Sequence, residues 1–220
     1  MLWVIIILIV WIFYIYLWHP DYDIYSYEHI KNKVKTGDLI LFHALDNINP
    51  IYIGSYYGHI GMVYVDPDKP ETPYLFEAFN TSGMPFYPSK FSNGIALTDL
   101  QQRLDTYRGY CFYKELAKPI DKKLIINFKD FIKYAIKNMW YNENVVDNFI
   151  KKIFFNERLK KGTNCGEIVY MSLIKLGLIS QEHIYNNRFH HLLWLSNVKE
   201  VKNNIYLEPV YVLANYFKTN

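Results

Sequence analysis

The sequence predicts an α+β domain in which an antiparallel sheet comes first, helices follow and a strand closes the chain, with a transmembrane helix in front. Three observations carry this. The first 18 residues are apolar and uncharged. The next hundred break into short β-rich runs separated by turn residues, and from residue 121 apolar positions recur at helical spacing. A length of 220 residues suits one such domain, and 51% hydrophobic against 20% charged residues excludes general disorder.

The opening "MLWVIIILIVWIFYIYLW" has no charged side chain before Asp21. As a helix, its apolar run of about 17 residues spans roughly 26 Å, near the lower limit for a hydrocarbon core of about 30 Å. Trp3, Trp11, Tyr14, Tyr16 and Trp18 supply interfacial aromatics. No Lys or Arg precedes the run and no small-residue cleavage site follows it, which separates it from a signal peptide. Residues 1–19 are therefore expected to be a single-pass anchor, with residues 2–18 in the bilayer. Lys31, Lys33 and Lys35 lie downstream and nothing basic lies upstream, so the body is expected on the cytoplasmic side. Two cysteines cannot make a disulfide framework, which agrees with a reducing compartment.

Residues 20–36 read as a polar, Tyr-rich connector with a short helix in "YSYEHIKNKV", and 37–220 as the domain. "TGDLILFHAL" is a Gly-Asp turn and a strand, "NINPIYIGSYY" a loop, and "GHIGMVYVD" the second strand. The three prolines of "PDKPETP" predict that the ladder stops there, and "YLFEAF" is the third strand. "NTSGMPFYPSKFSNG" is a long turn-rich insertion. "IALTDLQQRLDTY" mixes strand and short helix, and "GYCFYKEL" is another strand. Residues 121–139 have helical spacing with Asp121 as cap, and "NENVVDNFIKKIFF" is a further helix. "NCGEIVYMSLIKLGL" is the next helix, and "NIYLEPVYVL" the closing strand.

The chemistry gathers around Cys165. Asn164 followed three residues later by Glu167 has the form of a capping box, which makes Cys165 the first helical residue. Ile168, Val169, Ser172, Leu173 and Leu176 then form the buried stripe, and Gly177 ends the helix. A thiol there feels the positive end of the helix dipole, and its own backbone N–H is free of the helix ladder to donate to an oxyanion. Strand alternation aligns His59 with Gly61, Val63 and Val65, and Glu77 with Leu75 and Phe79. Both are polar groups on faces that should be buried, and such groups require partners. In a hairpin the two come within a residue or two of facing each other, the base and orienter of a Cys-His-acid site. Tyr57, or its neighbour Tyr56, lies within reach as a side-chain oxyanion donor.

Other features point elsewhere. A net charge of +3 without an arginine stripe excludes nucleic-acid binding. His190 and His191 would point about 100° apart on a helix and have no spaced acidic or Cys partner, so no metal site is expected. Cys111, alternating with Phe112, reads as core.

The order "GDLILF", "GHIGMVYV", "YLFEAF" and, much later, "NCGEIVYMSL" resembles the circularly permuted papain-like superfamily. The likeness is to the YiiX-like branch of the NlpC-like hydrolases, related to lecithin retinol acyltransferase and to a group of poxvirus proteins. It runs from about residue 36 to the end. Cys165, Gly166, Glu167, Ile168 and Val169 match the branch's Cys-Ser-Glu-apolar motif with Gly in place of Ser, and Glu77 falls on its acidic third residue. The resemblance implies a permuted papain-like sheet packed on helices and a Cys165–His59–Glu77 triad acting without metal or organic cofactor. The expected activity is a cysteine hydrolase or acyltransferase on an amide or ester of a small-molecule, lipid or peptide substrate. The rival is an inactive membrane-anchored binding or assembly module on the same fold.

Overall fold

A computed structural model describes residues 24–44, 56–79, 94–107, 109–141, 163–180 and 197–213, together with Leu195 and three N-terminal positions. Nine strands and four helices are traced among the described residues. In chain order they are β1 (Ile24–Ser26), α1 (Tyr27–Ile30), β2 (Leu39–Ala44), β3 (His59–Asp66), β4 (Lys69–Ala78), β5 (Ile95–Asp99), α2 (Leu100–Thr106), β6 (Gly109–Lys114), α3 (Lys122–Asn138), α4 (Cys165–Lys175), β7 (Glu200–Val201), β8 (Asn204–Ile205) and β9 (Val210–Leu213).

Seven strands form one sheet in the order β1-β9-β6-β2-β3-β4-β5, and β7 and β8 make a separate two-stranded ribbon. All pairings in the large sheet are antiparallel except β1 with β9, which is parallel. The chain is therefore mixed α+β, as the alternation of its first half predicts.

The sheet is covered on both faces. Leu39 and Leu41 join one cluster with Phe128, Ile132 and Ala135 of α3 and Ile168, Val169 and Leu173 of α4. Ile40 and Phe42 join a second with Tyr27 and Ile30 of α1 and Leu100 and Leu104 of α2. Double burial explains why β2 reads "LILF" without a polar alternate: a strand with no wet face needs none. Asp38, at the Gly-Asp turn before β2, is fully buried and pins the turn. It accepts hydrogen bonds from the Lys35 and Leu116 backbone N–H groups and from the Tyr113 hydroxyl, at 2.8, 2.8 and 2.7 Å.

Three expectations need correction. The ladder does not stop at "PDKPETP": β4 already begins at Lys69 and runs through Pro70 and Pro73. The register shifts between Val65, opposite Pro73, and Asp66, opposite Lys69, so a bulge absorbs residues 70–72. Beyond Tyr74 toward this end, β5 supplies no pairs, and an unpaired margin tolerates missing N–H groups. The closing strand is two pieces, β8 and β9, with Pro209 just before the second. The sheet is also not wholly antiparallel, because β1, inside the stretch read as connector, pairs in parallel with β9. Tyr27 and Ile30 of that stretch are buried in the second cluster.

The predicted anchor apart from Ile6, Ile9 and Val10, the long insertion apart from Gly94, the helix expected in "NENVVDNFIKKIFF" and the His190–His191 pair lie outside the described residues. Among the described residues no helix is long and apolar enough to cross a membrane.

Candidate active site

Helix α4 begins as its sequence predicts. The Asn164 side chain accepts from the Glu167 backbone N–H at 2.9 Å, and the Glu167 carboxylate accepts from the Asn164 N–H at 3.1 Å. This reciprocal box fixes where the helix starts and makes half-buried Cys165 its first residue. Ile168, Val169, Ser172, Leu173 and Leu176 are all buried, and Gly177 closes the helix at φ +70°, a conformation glycine adopts without strain.

His59 opens β3, its backbone paired with Phe42 of β2, and the two rings lie 5.3 Å apart between centroids. Met62 faces Phe76 and Val63 faces Leu75 across β3 and β4. Continued along the strands, that register sets Glu77 opposite Gly61, two pairs along from His59 and on the same face. The two side chains meet: His59 Nε2 lies 2.7 Å from Glu77 Oε2. Nδ1 is the ring nitrogen left for the thiol, and Cys165 lies close enough to His59 to raise the ring's pKa. The structure thus brings together the three side chains singled out in the sequence. Helix α4 packs with the first cluster and the Phe42–His59 side belongs with the second, so thiol and imidazole come from different layers and meet where β3 begins.

A fourth member was not foreseen. Arg103 of α2 donates from Nε to Glu77 Oε1 at 2.6 Å and from Nη2 to Oε2 at 3.2 Å. It is 2% exposed and Glu77 is 0% exposed. The guanidinium lies over the Phe42 ring at 4.6 Å and the Tyr107 ring at 5.2 Å. A faint signal was present: Arg103 shares helical spacing with Leu100, Leu104 and Tyr107, the side that α2 buries. A buried arginine and a buried carboxylate in one domain call for each other.

The charges shift accordingly. Burial opposes a charged His59, but the charge of Cys165 and its hydrogen bond, reinforced by Glu77, lift the ring to about 9. Burial likewise opposes a charged Glu77, but the Arg103 charge and His59 outweigh it and hold the carboxyl down to about 2. Cys111 behaves as core: burial pushes its thiol up to about 12.

Tyr57 is buried in the cluster that also holds α4, with its ring edge-on to Tyr56 and to Phe112, both at 5.3 Å. Tyr56 stacks flat on His43, 4.1 Å between centroids, and its carbonyl lies 2.5 Å from His43 Nδ1. Both tyrosines therefore brace the entry into β3. Among the described residues, no group of three or more His, Cys, Asp or Glu side chains is placed to hold a metal ion.

No family model matches the chain, and no curated protein matches it by sequence. Solved structures do match. One is a crystal structure of the metalloprotein yiiX from Escherichia coli O157:H7, 16% identical, covering 80% of this chain and 87% of that one with a TM-score of 0.45. At so faint a likeness the chemistry has to be read from the side chains themselves.

Proposed function

We propose that this protein is a membrane-tethered cysteine hydrolase or acyltransferase on a permuted papain-like fold, acting on an amide or ester carbonyl. The observation that supports it most is the convergence of Cys165, first in its helix, with His59, whose opposite nitrogen is held by the buried carboxylate of Glu77. An imidazole raised to about 9 carries its proton at neutral pH, and a cationic neighbour favours the thiolate.

The thiolate attacks the carbonyl carbon, forming a C–S bond and a tetrahedral oxyanion. The Cys165 backbone N–H, outside the helix ladder, is one donor to that oxyanion, and the Tyr57 hydroxyl is the candidate second. As the C–N or C–O bond breaks, His59 delivers its proton to the departing amine or alcohol, leaving a thioacyl enzyme. Neutral His59 then takes a proton from water or an acceptor, whose oxygen or nitrogen displaces the sulfur. Glu77 keeps the ring turned toward Cys165 throughout. These steps need no metal or organic cofactor. The apolar N-terminus favours lipid-linked or membrane-near substrates, with peptides as the other class, because tethering raises local concentration.

Thiol alkylation tests the reading. Cys165 should react readily with iodoacetamide near neutral pH, and His59→Ala should remove that advantage. Equal labelling of wild type and variant across pH would instead mark a binding or assembly module.

A further inference from the structure

We propose that Arg103 is a positioning residue of this site, holding Glu77 ionised and turned toward His59; the inference rests on reading the Cys165–His59 pair as catalytic. The first support is geometric. A carboxylate is free to rotate about its last bond, and a single imidazole contact does not fix its plane. The guanidinium fork does, taking Oε1 at 2.6 Å and sharing Oε2, the oxygen that meets His59, at 3.2 Å. The fork is itself fixed, because Phe42 and Tyr107 back its plane, and Phe42 also lies against the His59 ring. One aromatic ring thus sets the spacing between the two cations that share Glu77.

The second support is a charge count. In the reactive form the four groups alternate, Cys165 negative, His59 positive, Glu77 negative, Arg103 positive, and the buried sum is zero. Without Arg103 the same form carries one uncompensated negative charge where desolvation is severe. The site would relieve it by taking up a proton, on Glu77 or on the sulfur, and either place costs the reactive pair. A purely structural Arg–Glu bridge would hold α2 against β4 without altering the protonation of Cys165.

The other titratable groups on this face do not confuse the account. Burial pushes Cys111 and Tyr27 up to about 12, so both stay neutral near pH 7. Tyr113 is raised further still by burial and is engaged by Asp38. Asp38 itself is pushed up to about 6 by burial, but it sits at the opposite end of β2 from Phe42 and titrates alike in every variant.

The experiment is the pH dependence of Cys165 alkylation by iodoacetamide in the full chain, for wild type, R103M, R103K and H59A, with folding followed by circular dichroism. R103M should label about tenfold more slowly at pH 7 and recover as pH rises, because an added proton must leave first; a tenfold loss corresponds to about one unit. R103K, which keeps the charge but loses the fork, should fall between R103M and wild type. A folded R103M with wild-type rate and profile overturns the proposal. Should R103M not fold, R103K decides: a midpoint above wild type supports the role, and a wild-type rate and midpoint overturn it. If H59A labels like wild type, the catalytic reading itself fails. If H59A is slow and R103M is not, only the role given to Arg103 falls.

Discussion

Glu77 has no exposed surface, yet it is charged, and everything about its neighbourhood answers that fact. Two of its partners come from different elements, Arg103 from α2 and His59 from β3. Glu77→Gln removes the carboxylate charge that faces buried Arg103, and removing one side of a buried pair costs roughly 3–5 kcal/mol. Urea denaturation should show that loss, and the double variant E77Q/R103M should recover part of it, because no lone charge then remains. The pH dependence of stability has a worked sign. Glu77 is depressed from 4.5 to about 2, so its contribution is present above its unfolded value and fades as pH falls toward about 2. His59 is raised from 6.5 to about 9, so its contribution is complete below 6.5 and disappears as pH rises through about 9. Together the pair stabilises most between about 4.5 and 6.5, and thermal melts should show E77Q losing its disadvantage toward either extreme.

Among the elements, those governed by local rules were legible and those governed by distant partners were not. The cap of α4 depends on two residues three apart, and the sequence displays both. The Asp121 cap of α3 follows the same logic, accepting from the Lys123 N–H at 2.7 Å. The His59–Glu77 encounter was legible because hairpin register follows from counting outward from a turn. The start of β4 was not, since two prolines argue against a ladder unless a bulge and an unpaired margin are known to be there. Arg103 escaped because a helix of seven residues gives too little periodicity to declare its buried side. Two substitutions probe these elements. Asn164→Ala should cost about 1 kcal/mol of stability in urea titration and slow Cys165 alkylation as the first turn loosens. Gly61→Ala would set a methyl 2.8 Å from the Leu75 side chain, on the face shared with His59 and Glu77. Overpacking of this kind costs typically 1–3 kcal/mol, and here it should also reduce alkylation by displacing β4 against β3.

Over the whole molecule, a doubly covered seven-stranded sheet holds a reactive end where β3 and α4 begin, and the apolar N-terminus would bring that end to a lipid surface. The direct test of this tether compares the full chain with one starting at residue 20. The full chain should need detergent to stay monodisperse and the shorter one should not; a detergent-free, monodisperse full chain would count against the anchor. The parallel pairing of β1 with β9 has a different kind of consequence. Ile24 lies beside Tyr211, so the sheet's outermost ribbon joins residues far apart along the chain. At about 5–20 residues per second, a nascent β1 waits roughly 10–40 s for its neighbour to leave the ribosome. Until then the β1 edge has no strand beside it and stays open to unintended pairing.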